Sequence, residues 1–180
     1  MDAINRQLAA DIDVAFPQLV MSMQHGIYSG VRRMVPTAAD AEDVAAETFL
    51  RAYRALQTME KEDIRQLRVS GWVWTIAINL CRNAARSRSR KPTVRLADSW
   101  SPAEPGPGPE AETLGSEAVA RLLEDLPWAQ RTAIVLRHLA DLSYPDIAQA
   151  TGRPEGTVKA DVHRGLETLR RSLTPEEVMA

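Results

Sequence analysis

Apolar residues recur every three or four positions along most of the chain, which is the spacing of one face of an α-helix. In the N-terminal half this period predicts helices at about 3–15, 17–34, 40–56 and 71–90, with an irregular segment at 57–69. In the C-terminal half it predicts helices near 115–125, 127–139, 144–151 and 154–172. Alternation with a period of two is absent, and aromatic residues make up only 5% of the chain. We therefore expect an all-α fold.

The helical pattern is interrupted by residues 92–112. This segment contains five prolines and two glycines, most of them in the run 105–109. Proline lacks the backbone N–H that a helix or a central strand needs, so the segment cannot continue either element. We therefore predict two small helical domains, 1–91 and 113–180, joined by an extended acidic linker at 92–112.

A few residues mark the expected helix ends. Asp40 and Ser70 are candidate N-caps, because a short polar side chain can accept hydrogen bonds from the first backbone N–H groups of a helix. Ser143 with Asp146 three residues later matches a capping box. Gly152 is expected to stop the helix at 144–151, and Pro17 is expected in the first turn of its helix.

The segment 144–164 has the spacing of a helix-turn-helix. Ala148 is small enough for two helices to cross closely, and Gly152 tolerates the positive φ of a tight turn. Ile147, Val158 and Val162 supply the apolar residues between the helices. This pattern predicts a DNA-binding module whose second helix enters the major groove. The alternative from spacing alone is a plain helical hairpin in a bundle.

The outward face of the second helix carries groups that reach base edges or phosphates. Its members are Thr157, Lys159, Ala160, His163 and Arg164. Asp161 interrupts this face, and an acid beside DNA phosphate is expected to be repelled.

A second basic surface is predicted on the helix at 71–90. No acid occurs between Asp63 and Asp98, although eight basic residues do. One face of the helix carries an apolar stripe, which consists of Val73, Ala77, Leu80 and Ala84, widened by Ile76 and Cys81. The other face carries Asn79, Arg82, Asn83 and Arg86. Amides and guanidiniums at this spacing are suited to exposed bases, whereas a solvated basic face with Trp72 and Trp74 in the core is the alternative.

The helix that follows Asp40 carries acids early and bases late on one face, as the helix dipole favours. The face consists of Asp40, Asp43, Glu47, Arg51 and Arg54, with Glu47 and Arg51 spaced for an ion pair. Helix stability alone explains such a face. The functional interpretation is a docking surface for a basic partner.

Composition excludes several classes of protein. Cys81 is the only cysteine and the chain has three histidines, so neither an internal disulfide nor a zinc site is expected. No apolar run is long enough to span a membrane, and the first residues lack the order of a signal peptide. We find no nucleophile–base pair, no metal cluster and no phosphate-binding glycine loop. The sequence therefore predicts a cytoplasmic protein that is not an enzyme and needs no cofactor or metal.

Three stretches in this order resemble the extracytoplasmic-function sigma factors, the smallest bacterial members of the sigma-70 family. The stretches run from Asp40 to Ala52, from Gly71 to Leu80, and from Leu126 to Arg164, with the proline-rich segment before the third. The resemblance covers about 14–173. It implies a subunit that directs core RNA polymerase to promoter DNA, and an anti-sigma factor as a further partner. The alternative function is a stand-alone helix-turn-helix repressor or activator.

The resemblance also implies residue roles. Asp40, Asp43, Glu47 and Arg51 match the family's polymerase-docking helix. Asn79, Arg82, Asn83 and Arg86 match the helix that engages the minus-ten element, and the loop at 57–70 matches a pocket for a flipped base. The residues that match the minus-35 reading unit are Arg153, Thr157, Lys159, Ala160, His163 and Arg164. Three positions depart from the family: Ile78 and Asp161 replace frequent basic residues, and Gly165 replaces an alanine at a cost to the helix of about 1 kcal/mol at most.

Overall fold

The computed structural model describes residues 2–90, 119 and 121–173, and the regular structure in these residues is helical. The N-terminal group comprises α1 (Asp2–Ala10), α2 (Ile12–Arg32), α3 (Ala38–Thr58), α4 (Lys61–Gln66) and α5 (Val69–Arg90). The C-terminal group comprises α6 (Trp128–Ile134), a π-helical turn (Val135–Leu139), α7 (Tyr144–Thr151) and α8 (Glu155–Leu173). The predicted all-α fold is confirmed, whereas the predicted linker at 92–112 lies outside the described residues.

The N-terminal group is a bundle built around α2. One side of α2 is buried, and Leu19, Ile27 and Val31 on this side are fully buried. Helices α3 and α5 pack against it, and α1 packs against both α2 and α4. Across the described residues, no helix is both long and apolar enough to cross a membrane.

Two predicted features of the N-terminal half are wrong. The segment 57–69 is not irregular throughout, because it contains α4, whose single buried residue is Ile64. One apolar position in six cannot reveal a helical period. The break between the first two helices falls at Asp11, whose side chain accepts a hydrogen bond from the Val14 N–H at 3.2 Å. Pro17 therefore lies inside α2 and not in its first turn.

Two of the predicted helix N-caps are wrong, and the predicted capping box is correct. Asp40 is not the N-cap of α3; Thr37 is, and its hydroxyl accepts from the Asp40 N–H at 3.1 Å. Helix α5 begins at Val69, so Ser70 lies within its first turn. The capping box of Ser143 with Asp146 is confirmed at the start of α7.

The buried face of α5 is rotated from the predicted stripe. Its buried residues are Val69, Val73, Trp74, Ala77, Ile78 and Cys81, whereas Ile76, Leu80 and Ala84 are only partly buried. The reason is that α5 contacts α2, α3 and α7 at once, so more than one side is covered. The core interpretation is correct for Trp74, and Trp72 is half-buried.

The two helix groups pack directly against each other. Helix α5 lies against α7, and α2 lies against the π-helical turn. Gly30 lies at this contact, because a Cβ there would collide with the Trp74 ring of α5 and lie 3.2 Å from Val135 Cγ1 of the π-helical turn. This packing brings the helix-turn-helix beside the predicted basic helix.

Candidate nucleic-acid interfaces

Helices α7 and α8 form a pair joined by a tight turn. Gly152 adopts the left-handed conformation with φ 66°, as predicted, and its N–H donates to the Ala148 carbonyl. The Arg153 N–H donates to the same carbonyl at 3.1 Å. Val158 and Val162 are buried between the helices. The turn therefore has the local geometry that a helix-turn-helix requires.

The outer face of α8 presents the predicted groups to different extents. Lys159 and His163 are exposed, and Arg164 keeps 57% of its side chain exposed, whereas Thr157 and Ala160 are half-buried. Lys159 Nζ lies 2.7 Å from Glu155 Oε1 and 5.5 Å from the Tyr144 ring centre. The hydrogen bond to Glu155 raises the pKa of Lys159, so its ammonium stays charged.

Asp161 is placed differently from its predicted position on the outer face. Its side chain is only 4% exposed, and it pairs with Arg153 from the turn and with Arg164 at 2.8 Å. The predicted repulsion of DNA phosphate assumed that Asp161 lies on the outer face of α8. Because Asp161 is buried and paired, that assumption is wrong. Two guanidiniums around one carboxylate leave this cluster with a net positive charge.

Gly165 allows α8 to approach α6 closely. A Cβ at this position would lie 2.5 Å from Ile134 Cδ1 and 3.3 Å from Gln130 Cβ. The low helix propensity of glycine is therefore matched by a packing contact that alanine would crowd.

The predicted basic row on α5 is only partly free. Asn79 and Asn83 are exposed. Arg82 is half-buried, and its Nη2 donates to the Thr151 carbonyl of α7 at 3.4 Å. Arg86 lies on α5, but its side chain is outside what the structure describes. The row therefore contacts the helix-turn-helix through Arg82.

A cavity of about 600 Å³ lies at the N-terminal end of α5. One wall is residues 65–71, which span the end of α4 and the start of α5, together with Asn5 of α1, and the other is residues 140–142 with Asp146. Arg68 crosses the rim: its Nη2 donates to Asp146 Oδ2 at 2.9 Å, and its Nη1 lies 2.8 Å from Oδ1. We did not predict this pair from the sequence. The capping box already explained why an acid stands at position 146. The pattern of apolar and polar residues along the chain gives no sign that Arg68 lies beside it.

The acidic face of α3 flanks its buried face. Asp43 and Arg51 are exposed, and Arg51 Nε lies 2.6 Å from Glu47 Oε1, which confirms that predicted ion pair. Asp40 is half-buried and accepts a hydrogen bond from the Thr37 hydroxyl. The buried face carries apolar side chains and Thr48. The four predicted docking residues therefore share one accessible side of the bundle.

Comparisons with known proteins cover both helix groups. The family model for sigma-70 region 2 matches residues 19–91, and the model for sigma-70 region 4 matches residues 116–169. The RNA polymerase sigma-H factor of Pseudomonas aeruginosa is 34% identical over 176 residues, which span 89% of this chain and 87% of that protein. The ECF RNA polymerase sigma-E factor of Escherichia coli is 33% identical over 172 residues, with the same two coverages.

Solved structures share the fold. CnrH in complex with the cytosolic domain of CnrY superposes with a TM-score of 0.71 at 23% identity, over 96% of both chains. The sigma factor RpoE in complex with the anti-sigma factor NepR from Bartonella quintana gives a TM-score of 0.69 at 22% identity, over 89% of this chain and 98% of that one. Both region models match this chain, and the relatives named above share more than 30% of its sequence. This chain therefore belongs to the extracytoplasmic-function group of the sigma-70 family and acts in transcription initiation as an RNA polymerase sigma factor.

Proposed function

We propose that this sigma factor holds promoter DNA at two places and core RNA polymerase at a third. The observation that carries the proposal is that three surfaces of different chemistry lie on three different helices: the outer face of α8, the polar row of α5 and the acidic side of α3. Each surface has the chemistry of its proposed partner. The proposed domains are 1–91 and 113–180, with 92–112 as the linker between them.

The proposed minus-35 surface is the reading helix with the turn before it. Its proposed contacts are Arg153, Thr157, Lys159, Ala160, His163 and Arg164. The exposed Lys159, His163 and Arg164 support this role, because the early residues of a second helix reach base edges in the major groove.

The proposed minus-ten surface is the row Asn79, Arg82, Asn83 and Arg86, with the cavity at 65–71 as the site for an unstacked base. Two arginines of this region, Arg68 and Arg82, contact α7 in the structure. DNA binding here therefore requires the two helix groups to separate. The extended linker proposed at 92–112 permits that movement.

The proposed polymerase-docking surface comprises Asp40, Asp43, Glu47 and Arg51. Its carboxylates fit a basic partner surface and steer its approach at low ionic strength. We also propose an anti-sigma factor as a regulatory partner, because the solved relative RpoE is bound to one. The proposed location is the cytoplasm, where the polymerase acts.

No catalytic role is proposed, because a sigma factor positions the polymerase and the polymerase performs the chemistry. Among the described residues there is no group of three or more potential metal ligands. The cysteine, Cys81, is buried.

Transcription with purified bacterial core polymerase tests the proposal. The full chain should stimulate initiation on a promoter selected from a randomised library. Reversing two carboxylates, in the variant D43K/E47K, should abolish co-purification with the core enzyme. The matched control is E60K, which reverses an exposed acid away from this face. Equal binding by both variants would refute the docking surface, and sequence-selective DNA binding without any polymerase binding would favour a stand-alone regulator.

A further inference from the structure

The reading helix α8 holds one buried carboxylate beside its proposed DNA-facing surface. Both oxygens of Asp161 are occupied: Oδ2 by Nη1 of Arg153, and Oδ1 by Nη2 of Arg164 at 2.8 Å. Arg153 comes from the turn, and Arg164 lies three residues along the helix. One carboxylate thus joins the two ends of the surface that faces DNA.

Folding alone does not account for this carboxylate. The neighbouring buried positions of α8, Val158 and Val162, are apolar. Removing a charge from water is costly, and replacing a buried ion pair by apolar residues of similar volume is often neutral or stabilising. Apolar packing therefore does not require a carboxylate at this position, and its two contacts are with arginines.

The two arginines keep donors for another partner. A guanidinium has five N–H donors in a rigid plane, and each arginine contacts Asp161 through one terminal nitrogen. Their side chains remain 34% and 57% exposed. Reading guanine takes two parallel N–H groups in one plane, so an arginine whose plane is already fixed loses less freedom on binding.

We propose that Asp161 is a positioning residue for minus-35 recognition. It fixes the guanidinium planes of Arg153 and Arg164 so that they address base edges, and it neutralises part of the charge that would otherwise bind phosphates of any sequence. The arrangement lowers non-specific affinity and raises selectivity. This inference rests on the proposed minus-35 role of α8.

The test measures selectivity and non-specific binding separately. The full chain is assembled with core polymerase and mixed with duplexes whose minus-35 region is randomised, and the bound duplexes are sequenced. The variant D161N keeps the side-chain volume and removes the charge. It should lower the enrichment at the bases read by the arginines about tenfold. It should also raise the recovery of unselected duplexes at low salt. The slope of log affinity against log salt concentration should become steeper by up to about 1.

The matched control is E167Q. It removes an exposed carboxylate from the same helix, one that pairs with Arg171 and contacts neither Lys159 nor the two arginines around Asp161. It should raise non-specific recovery while leaving the selected sequence unchanged. If D161N selects the same sequence as strongly as the unaltered chain, or strengthens all sequences equally, Asp161 acts only through phosphate repulsion and the proposal is overturned.

A folding control keeps the test decisive. If circular dichroism shows that D161N does not fold, R153K replaces it, since lysine keeps the charge but lacks the planar fork. R153K should lose selectivity at an unchanged melting temperature, and full selectivity would overturn the proposal. A chain without substitutions that selects no minus-35 sequence would instead refute the role of α8 itself.

Discussion

Replacing Arg68 by alanine should shift the protein from the closed arrangement of its two helix groups towards an open one. Arg68 lies between α4 and α5 and contacts Asp146, with two nitrogen–oxygen distances of 2.8 and 2.9 Å. Its side chain is 63% exposed, whereas that of Asp146 is 10% exposed. The pair therefore lies between a solvated and a buried ion pair.

The magnitude follows from this exposure. Exposed ion pairs contribute about 0.2–1 kcal/mol. The burial of Asp146 places this pair near the upper end of that range, and solvent screening around Arg68 keeps it from exceeding the range. A loss of about 1 kcal/mol corresponds to about a fivefold increase in the ratio of open to closed molecules. Added salt should reduce the difference, because the Debye length falls to about 3 Å at 1 M.

Fluorescence resonance energy transfer between two dyes measures the ratio of open to closed molecules in the absence of DNA. Cysteines introduced at Met21 and Leu173, whose exposures are 74% and 65%, carry the dyes. The native Cys81 does not compete for label, because burial raises the pKa of its thiol to about 12.

The matched control is R65A, which removes an arginine from the same region. Arg65 pairs with Glu62 at 3.0 Å within α4 and should leave the transfer unchanged. Equal transfer in R65A and R68A, or a difference that 1 M salt does not reduce, would show that the ion pair does not hold the groups together.

Two further predictions concern the core. Gly30→Ala should destabilise the fold by about 1–3 kcal/mol through overpacking against Trp74, partly offset by a gain in helix propensity of about 1 kcal/mol. Gly26→Ala, on the same helix with no atom within 4 Å of its Cβ, should show the gain alone in urea denaturation. Cys81 should react with a thiol reagent at pH 8 only as fast as the chain opens, and rapid reaction of the native protein would contradict its burial. Because folding raises its pKa from 9.0 to about 12, its contribution to stability is complete below pH 9.0 and declines as pH rises towards 12.

Local chemistry made much of the fold predictable from the sequence. The long helices contain enough apolar residues for the helical period to be recognised. Gly152 and the Ser143–Asp146 pair each act within a single turn, so their effects follow from the local sequence. Helix α4 escaped prediction because its one buried residue, Ile64, provides no period. The rotated face of α5 escaped prediction because it depends on α7, which lies more than fifty residues away in the chain.

The candidate site was predictable only where a residue's environment is set by its own helix. The ion pair of Glu47 with Arg51 is of this kind, because residues four apart on a helix are neighbours. Asp161 is not, because its burial requires an arginine from the preceding turn to fold over it. A charged residue on a helix is therefore ambiguous until the partners from neighbouring segments are known.

The capping box at the start of α7 has a consequence for how quickly the protein can open. Asp146 accepts from the Ser143 N–H at 3.3 Å as well as contacting Arg68, so its carboxylate keeps a partner when Arg68 leaves. The helix start at Ser143 therefore does not have to unravel when Arg68 detaches. The opening proposed for DNA binding should then be a hinge motion between intact helix groups, whose barrier includes exposure of the apolar contact of α5 with α7 and whose timescale is the microsecond-to-millisecond range of such motions.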